Sequence, residues 1–211
     1  LKQKFDKNKG LSLSLTYVIK ACYRPFIKQY LYHSLDLIEM PSLLPKLALD
    51  QNNFILFSGS SHSKPFQSLS VNSVYSFDLL EKTTGIPFWN YNTHSERIEN
   101  ITEWGLNQFT KHYGKRGVTK EAIFHYVYAV LHNPAYRKKY ELNLKREFPR
   151  IPFYENFQQW AAWGKALMDL HINYETVQPY DLGEIHFDYT LLNPDALERL
   201  KKAKLKADKA A

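Results

Sequence analysis

A short polar segment, Ser58–Lys64 (SGSSHSK), carries side chains well suited to contact a phosphate-bearing ligand. It combines hydroxyl groups with one imidazole, one ammonium group and one glycine, and its contact candidates are Ser60, Ser61, His62, Ser63 and Lys64. Hydroxyls and backbone N–H groups hold phosphates, and histidine or lysine can reach the edge of a guanine in a DNA groove. The alternative interpretation is an ordinary polar loop between two strands.

Two further basic groups are candidates for the same chemistry. Arg24 precedes Pro25, which keeps the arginine backbone extended, so its side chain projects from a strand or loop. Lys115 and Arg116 lie in a Gly-Lys-Arg-Gly turn. The other members of that basic cluster are Lys111, His112 and Lys120. Each group has a structural alternative, because an arginine can bind the carbonyls of a turn and cations suit the carboxyl end of a helix.

A third basic group, within residues 137–146, contains Arg137, Lys138, Lys139, Lys145 and Arg146. Glu141 and Glu147 interleave with these cations. Oppositely charged residues four apart on a helix pair with each other. Ion pairing on a solvated helix is therefore favoured over nucleic-acid contact for this group.

The segment Asn133–Tyr136 (NPAY) is similar to the Asn-Pro-Pro-Tyr motif with which amino-group DNA methyltransferases hold a flipped adenine. That motif needs an apolar strand before it and a Gly-rich cofactor loop upstream. Here the preceding residues repeat with a helical period, and no G-x-G pair occurs in the chain. A helix–helix corner is therefore favoured, and no catalytic residue, metal ligand or cofactor site is predicted.

The composition favours a polyanionic partner. The 211 residues carry a formal net charge of +7, and 15% of them are aromatic. Positive charge combined with amphipathic rings is typical of nucleic-acid-binding surfaces, although lysine also serves solubility. The one cysteine, Cys22, leaves no disulfide framework and fits a reducing cytoplasm. No apolar run approaches the ~20 residues that span a bilayer, so no membrane partner is expected.

The elements that must position these groups divide the chain in two. Alternating or apolar runs predict strands over residues 11–17, 29–33, 53–57, 72–77 and 85–91. Helical periods predict helices over residues 101–113, from the cap Thr119 to Leu131, after Pro134, and over 156–171. In the last of these, Gly164 in the middle of the apolar face indicates close approach of another backbone.

Residues beyond and between these elements complete the prediction. The proline-bounded stretch 148–153 (FPRIPF) cannot continue a helix and is expected to cross the surface as an extended strap. A strand over 185–189 and a helix from Asn193 follow. The basic tail 201–209 is either a phosphate-contacting arm or a frayed end. The sequence thus predicts an α+β fold in which a β-rich subdomain (residues 1–100) packs on a helical subdomain (residues 101–211).

Several segments, taken in order, resemble the C-terminal region of the Type ISP restriction–modification enzymes. They are residues 23–26 (YRPF), 30–32 (YLY), 58–66, 69–78, 86–92 and 123–153. The resemblance spans most of residues 17–175. Ile27 stands where the family usually has aspartate, so Arg24 needs another partner if that aspartate holds the arginine. Because the family's recognition region normally extends further, and because the chain starts at Leu1, it is expected to be an incomplete part of a longer polypeptide, truncated at its end.

The resemblance implies a module that recognises a DNA sequence and has no catalysis of its own. Its partners would be double-stranded DNA and the adenine-specific methyltransferase and helicase domains of the same bacterial, cytoplasmic polypeptide, which also has restriction activity. S-adenosylmethionine, and ATP with Mg²⁺, would be needed by that parent and not by this chain. Two alternatives stay open: a structural domain that packs on the methyltransferase core without reading bases, and a stand-alone methyltransferase or nuclease, against which the missing cofactor loop argues.

Overall fold

The computed structural model describes residues 13–34, 37, 47, 51–94, 96–179, 198 and 202. The chain divides into two compact units, residues 1–177 and 178–211. In the second unit, Lys202 Nζ lies 2.7 Å from Glu198 Oε1, an ion pair between residues four apart. The predicted strand over 185–189, and all of the predicted last helix and basic tail except residues 198 and 202, lie outside the described residues. The predicted division at residue 100 stays a prediction.

The strands of the first unit form three small sheets within its described residues. The orders are β2-β1-β5, β4-β3-β6 and β7-β8, and every pair is antiparallel except β1 with β5. The strands are β1 (Val18–Arg24), β2 (Ile27–Tyr32), β3 (Phe54–Phe57), β4 (Ser68–Val71), β5 (Val74–Tyr75), β6 (Thr84–Pro87), β7 (Trp89–Tyr91) and β8 (Arg97–Glu99).

The first strand begins later than its sequence pattern indicates. Residues 15–17 form a short 3-10 helix, and the Ser14 hydroxyl accepts the N–H of Thr16 at its start. Serine side chains compete with strand pairing by bonding the nearby backbone in this way. The predicted strand over 11–17 is therefore wrong in its described part, and the hairpin of β1 and β2 follows it instead.

Strand β3 joins the two cores of the unit. All four of its side chains are buried. Ile55 and Phe57 belong to the core formed with the helices, whereas Phe54 and Leu56 belong to a second core with β1, β4 and β5. Successive strand residues point to opposite faces, so a strand covered on both sides needs apolar residues throughout. The shared core confirms the predicted α+β fold, with strands in the first half and helices in the second.

Five helices follow within the described residues. The side chain of Thr119 accepts the N–H of Ala122 at 3.0 Å, which confirms Thr119 as a helix cap. Asn133 ends one helix and caps the next by accepting the N–H of Ala135 at 2.9 Å. The helices are α1 (Glu103–Tyr113), α2 (Lys120–His132), α3 (Pro134–Lys139), α4 (Glu141–Leu144) and α5 (Phe157–Ile172). The NPAY segment is thus a helix–helix corner, as predicted.

The predicted strap is present, and tyrosine hydroxyls hold it. They donate to carbonyls of the strap and of the residue that follows it: Tyr136 to Arg150 at 3.0 Å, Tyr126 to Pro152 at 2.8 Å and Tyr113 to Tyr154 at 2.6 Å. Burial raises the pKa of Tyr136 to about 12, so its phenol keeps the proton that it donates. A segment without backbone pairing of its own is in this way fixed against α1, α2 and α3.

Candidate nucleic-acid interface

The segment Ser58–Lys64 connects β3 to β4 and is anchored at its base. The Ser58 N–H donates to the Gln67 carbonyl at 3.0 Å, and the Ser58 hydroxyl accepts the Gln67 N–H at 3.0 Å. At Gly59 a Cβ atom would overlap the Lys82 carbonyl oxygen, so only glycine allows these two segments of the backbone to approach so closely. The base of the loop is therefore held in place at the end of the sheet.

An internal carboxylate occupies two backbone donors of this loop. Glu81 accepts the N–H of Ser63 at 2.8 Å and the N–H of Lys64 at 3.2 Å. The Ser63 amide, followed by the Lys64 amide, holds the pKa of Glu81 below its ordinary value. These two N–H groups therefore bind a protein anion, which leaves the side chains of the loop as its means of contacting phosphate.

His62 points into the protein in this structure. Its side chain is 5% exposed, and Nδ1–H donates to the Lys64 carbonyl at 2.6 Å. The Nε2 atom is buried without a hydrogen-bond partner among the residues that the structure describes. The ring thus supports the loop, and the predicted contact with a guanine edge would need it to turn outward. Ser60, Ser61, Ser63 and Lys64 are exposed, as the prediction requires.

The loop lies beside the region where α4 meets the strap. The Ser61 N–H donates to the Lys145 carbonyl at 2.8 Å, and Lys82 Nζ donates to the Ser61 carbonyl at 3.1 Å. The rings of Phe57 and Phe148 meet edge to face at 5.7 Å. We call this combined region the loop–strap surface and define it by Ser60, Ser61, Ser63, Lys64, Lys82, Asn143, Lys145, Arg146, Glu147, Phe148 and Arg150.

Backbone strain is concentrated at the same place. Ser61, Glu81 and Lys82 have φ angles of 60°, 68° and 50°, which residues other than glycine rarely adopt. Such conformations persist only where the surroundings enforce them, and they cluster at functional sites. In these conformations the Glu81 carboxylate and the Lys82 ammonium group both form hydrogen bonds with the loop.

Three cations of the loop–strap surface are held by internal contacts, one of them being Lys82, whose ammonium group donates to the Ser61 carbonyl. Lys145 Nζ lies 3.3 Å from Glu141, and Arg150 Nη2 lies 2.8 Å from Glu147. Lys64 and Arg146 are exposed, and no ion pair within the described ranges holds either of them. Unpaired exposed cations are the ones that a phosphate backbone can neutralise without breaking an internal contact.

The other two predicted groups lie elsewhere. The Arg24 guanidinium folds back at the β1–β2 turn, donating to the Tyr23 carbonyl at 3.0 Å and lying 4.1 Å from the Tyr23 ring centre. This arrangement fits the structural interpretation of Arg24. The Tyr23 carbonyl is the partner that the arginine needs, since Ile27 cannot accept a hydrogen bond through its side chain. Lys115 and Arg116 are exposed in the turn between α1 and α2. Of the neighbouring cations, Lys120 is paired with Glu103 at 2.6 Å.

Helix α5 separates these two groups. Phe26, in the same turn as Arg24, packs on His171 near the end of α5, whereas Gln158 near its start donates to the Arg116 carbonyl at 3.0 Å. The helix has 16 residues, a length of ~24 Å at 1.5 Å per residue. The structure therefore does not bring the three predicted groups into one site, and their contacts with DNA stay predictions.

Sequence reasoning missed several members of the loop–strap surface. Lys82 and Phe148 were not candidates, and Lys145 and Arg146 were assigned to ion pairing. No local pattern connects residue 61 with residue 145, because their contact is made by the fold. The sequence signal for this surface was the prediction that residues 148–153 cross the surface as a strap, because it places Phe148 and Arg150 in contact with solvent.

Two features are absent from the described part of the chain. No three side chains of the types that ligate metals are grouped there, and none of its helices is long and apolar enough to cross a membrane.

Comparisons with known proteins cover nearly the whole chain. The Type ISP C-terminal specificity domain family model matches residues 1–211. The cryoEM structure of a DrdV–DNA complex is 46% identical, with a TM-score of 0.78 over 93% of this chain and 20% of that chain. No curated protein sequence matches.

Two further solved structures are similar. A nuclease-deletion mutant of the Type ISP restriction–modification enzyme LlaGI, in complex with a DNA substrate mimic, is 28% identical (TM-score 0.65, 85% of this chain, 16% of that chain). The ATP-dependent Type ISP restriction–modification enzyme LlaBIII, bound to DNA, is 26% identical (TM-score 0.67, 84% and 12%). The chain thus spans between 12% and 20% of the length of these three relatives. With the whole chain matched, it belongs to the Type ISP C-terminal specificity domain family.

Proposed function

We propose that this chain recognises the DNA target of a larger Type ISP restriction–modification enzyme, whose adenine methyltransferase and helicase–nuclease lie elsewhere in the same polypeptide. Its family is a specificity domain, and the three similar structures described above contain DNA or a DNA substrate mimic. The observation that carries the proposal is the loop–strap surface, where hydroxyls and unpaired cations converge on a rigid scaffold. The chain's net charge of +7 has the sign that DNA requires.

In this proposal, different side chains of the loop–strap surface supply the affinity for DNA and the specificity for its sequence. Lys64 and Arg146 contact phosphates and supply salt-dependent affinity, because each neutralised phosphate releases counterions. Side chains fixed by the fold read base edges. The chain performs no chemistry and binds no cofactor itself; S-adenosylmethionine, ATP and Mg²⁺ serve the rest of the parent, in the cytoplasm.

Removing Lys64 and Arg146, the two cations of the surface whose side chains have neither an ion pair nor a hydrogen bond within the described residues, tests this directly. In the intact enzyme, Lys64→Gln with Arg146→Gln is expected to lower the slope of log affinity against log salt by about 2, since each phosphate contact contributes about 0.9. Affinity should fall similarly for target and random duplexes. Fluorescence anisotropy with labelled DNA over a salt series measures both quantities.

Lys165→Gln is the matched control, since Lys165 is a cation of α5 that pairs with Asp169 at 2.6 Å. It should leave the salt slope unchanged. A double variant at Lys64 and Arg146 that binds DNA with the wild-type slope contradicts the assignment of this surface.

A second candidate function, packing on the parent's other domains, is favoured by the β1–β2 hairpin. Both faces of the hairpin carry exposed apolar side chains: Tyr30 is 75% exposed on one face, and Ile27 and Leu31 are 49% and 38% exposed on the other. Exposed apolar surface of this kind marks an interface. The two functions are compatible, since the hairpin and the loop–strap surface are formed by different segments.

Polar substitution of the hairpin separates the two functions. Ile27→Asn with Leu31→Asn is expected to loosen docking in the intact enzyme, so that thermal unfolding splits into separate transitions while the isolated chain melts as before. DNA affinity of the isolated chain should not change. Phe77→Asn, at an exposed apolar residue outside the hairpin (66%), is the control. A single unchanged transition for the hairpin variant would remove the docking role.

A further inference from the structure

We propose that Arg150 reads a guanine of the DNA target and that Glu147 and Asn143 position its guanidinium. The inference rests on the proposed function and narrows it to one side chain and one base. Arg150 lies on the strap at the loop–strap surface, two positions after Phe148, whose side chain is also exposed.

A short hydrogen-bonded series of side chains holds the guanidinium. Arg150 Nη2 donates to Glu147 Oε2 at 2.8 Å, and Asn143 Nδ2 donates to Glu147 Oε1 at 3.1 Å. Both carboxylate oxygens are therefore engaged, one by each partner. The Arg150 side chain is nevertheless 86% exposed. It is fixed on one side and open to a ligand on the other.

The backbone beneath these side chains is also fixed. The carbonyl of Arg150 accepts the hydroxyl of Tyr136, which is 1% exposed. The carbonyl of Asn143 accepts the N–H groups of Arg146 and Glu147, both at 2.9 Å. A base-reading side chain needs support of this kind, because specificity is lost when its geometry is loose.

The other described arginines lack this combination. Arg116 and Arg146 are exposed, and no ion pair of the described residues holds them. The guanidinium groups of Arg24, Arg97 and Arg137 instead donate to the carbonyls of Tyr23, Gln51 and Leu131. Among the described arginines, Arg150 is the one that is both highly exposed and held by a carboxylate.

The neighbouring carboxylate also selects the ligand. Asn143 and Arg150 lower the pKa of Glu147, so it is ionised at neutral pH. An ionised carboxylate beside the contact repels a phosphate but not the neutral edge of a base. Guanine presents two acceptors, O6 and N7, in the major groove, and the forked guanidinium matches both. Glu147 leaves the remaining N–H groups of Arg150 available for that bidentate contact.

Substitution of Arg150 in the intact enzyme tests the assignment. Binding is measured for the enzyme's target and for duplexes in which each base pair of the target is changed in turn. Arg150→Ala is expected to abolish discrimination at one G·C pair, a loss of roughly 10–100-fold for one bidentate contact. Arg150→Lys should keep affinity for random DNA and lose the same discrimination, because it retains the charge without the fork.

Two further variants complete the test. One distinguishes base recognition from a general effect of charge, and the other distinguishes a positioning role of Glu147 from a packing role. Arg146→Ala removes the same charge next to the site and should weaken all duplexes equally. Glu147→Gln should reduce discrimination at the same G·C pair and strengthen binding to random DNA, since a negative charge near the phosphates is lost; a packing role alone would do neither. Because these side chains are exposed, thermal unfolding should match the wild type.

The outcomes distinguish this inference from the proposed function. If Arg150→Ala weakens every duplex equally, or changes nothing while the wild type still selects its target, the guanine assignment is overturned and the proposed function stands. If the wild-type domain can be exchanged for a relative's without changing the selected sequence, the proposed function fails. Loss of discrimination at a single G·C pair supports both.

Discussion

Gly164→Ala is expected to destabilise the chain by about 3 kcal/mol, the upper part of the range for overpacking a close contact. Helices α2 and α5 pack backbone against backbone at this glycine. A Cβ atom there would overlap the carbonyl oxygen of His125 and come within 3.2 Å of the Ala129 nitrogen. Both belong to the backbone of α2 and cannot move unless the helix does. The midpoint and slope of urea unfolding measure the loss.

Gly105→Ala in α1 is the matched control. A Cβ atom there meets Thr102 Oγ1 at 3.5 Å and Ile101 Cγ2 at 3.6 Å, which are ordinary contacts. With no clash, the substitution should gain up to ~1 kcal/mol of helix propensity. Equal effects of the two substitutions would show that α2 and α5 can separate at little cost, contrary to the observed packing.

The second large effect is an acid-sensitive stability centred on His132. Its ring lies between α2 and β4, with Nδ1 2.8 Å from the Tyr128 carbonyl and Nε2 3.1 Å from the Ser68 carbonyl. Burial first, then the charge of Arg137 and the neighbouring His171, lower the pKa of His132 to about 4, against the two carbonyls, which raise it. The ring is therefore neutral at pH 7 and donates to one carbonyl at a time.

The direction of the pH effect follows from proton binding. Between about pH 4 and 6.5 the unfolded chain holds a proton at residue 132 that the folded chain does not, so stability falls as the pH is lowered through this window. The full loss is ~3 kcal/mol, since each pKa unit is worth about 1.4 kcal/mol. Burial also lowers the pKa of His125 and His171, which adds to the same trend.

His132→Gln should flatten the dependence of unfolding free energy on pH. The slope is measured by urea unfolding between pH 5 and 6.5, above the range in which Glu81, Glu147 and Glu175 titrate, because their pKa values are lowered below their ordinary value. His171→Gln should remove a smaller part of the slope. A wild-type slope in the His132 variant would place the acid sensitivity elsewhere.

The strap and its tyrosines connect the fold with the proposed recognition. The Tyr136 hydroxyl that stabilises the packing of α3 also fixes the carbonyl of Arg150. The sequence contains 15 tyrosines, and some of these amphipathic rings are thus used inside the protein rather than at a nucleic-acid-binding surface. Buried phenols here satisfy a chain segment that has no backbone partners of its own.

The sequence by itself determined the main helices, several of the strands and the family. Helices α1 and α5 begin and end within two residues of their predicted bounds, and the cap Thr119 was predicted correctly, because helix periods and capping depend on neighbours four residues away or fewer. Gly164 also predicted a close backbone contact, because a glycine within the apolar face of a helix otherwise destabilises the helix. The ordered motifs identified the family.

The tertiary structure alone decided which polar groups share a surface and which are already occupied. Glu81 takes the loop's N–H groups, His62 turns inward, and Arg24 folds onto its own turn. Ser61 meets Lys145, 84 positions along the chain, only because β3 and the strap lie side by side. Side-chain direction and long-range contact depend on packing and burial, and a sequence pattern reports neither beyond a few neighbouring residues.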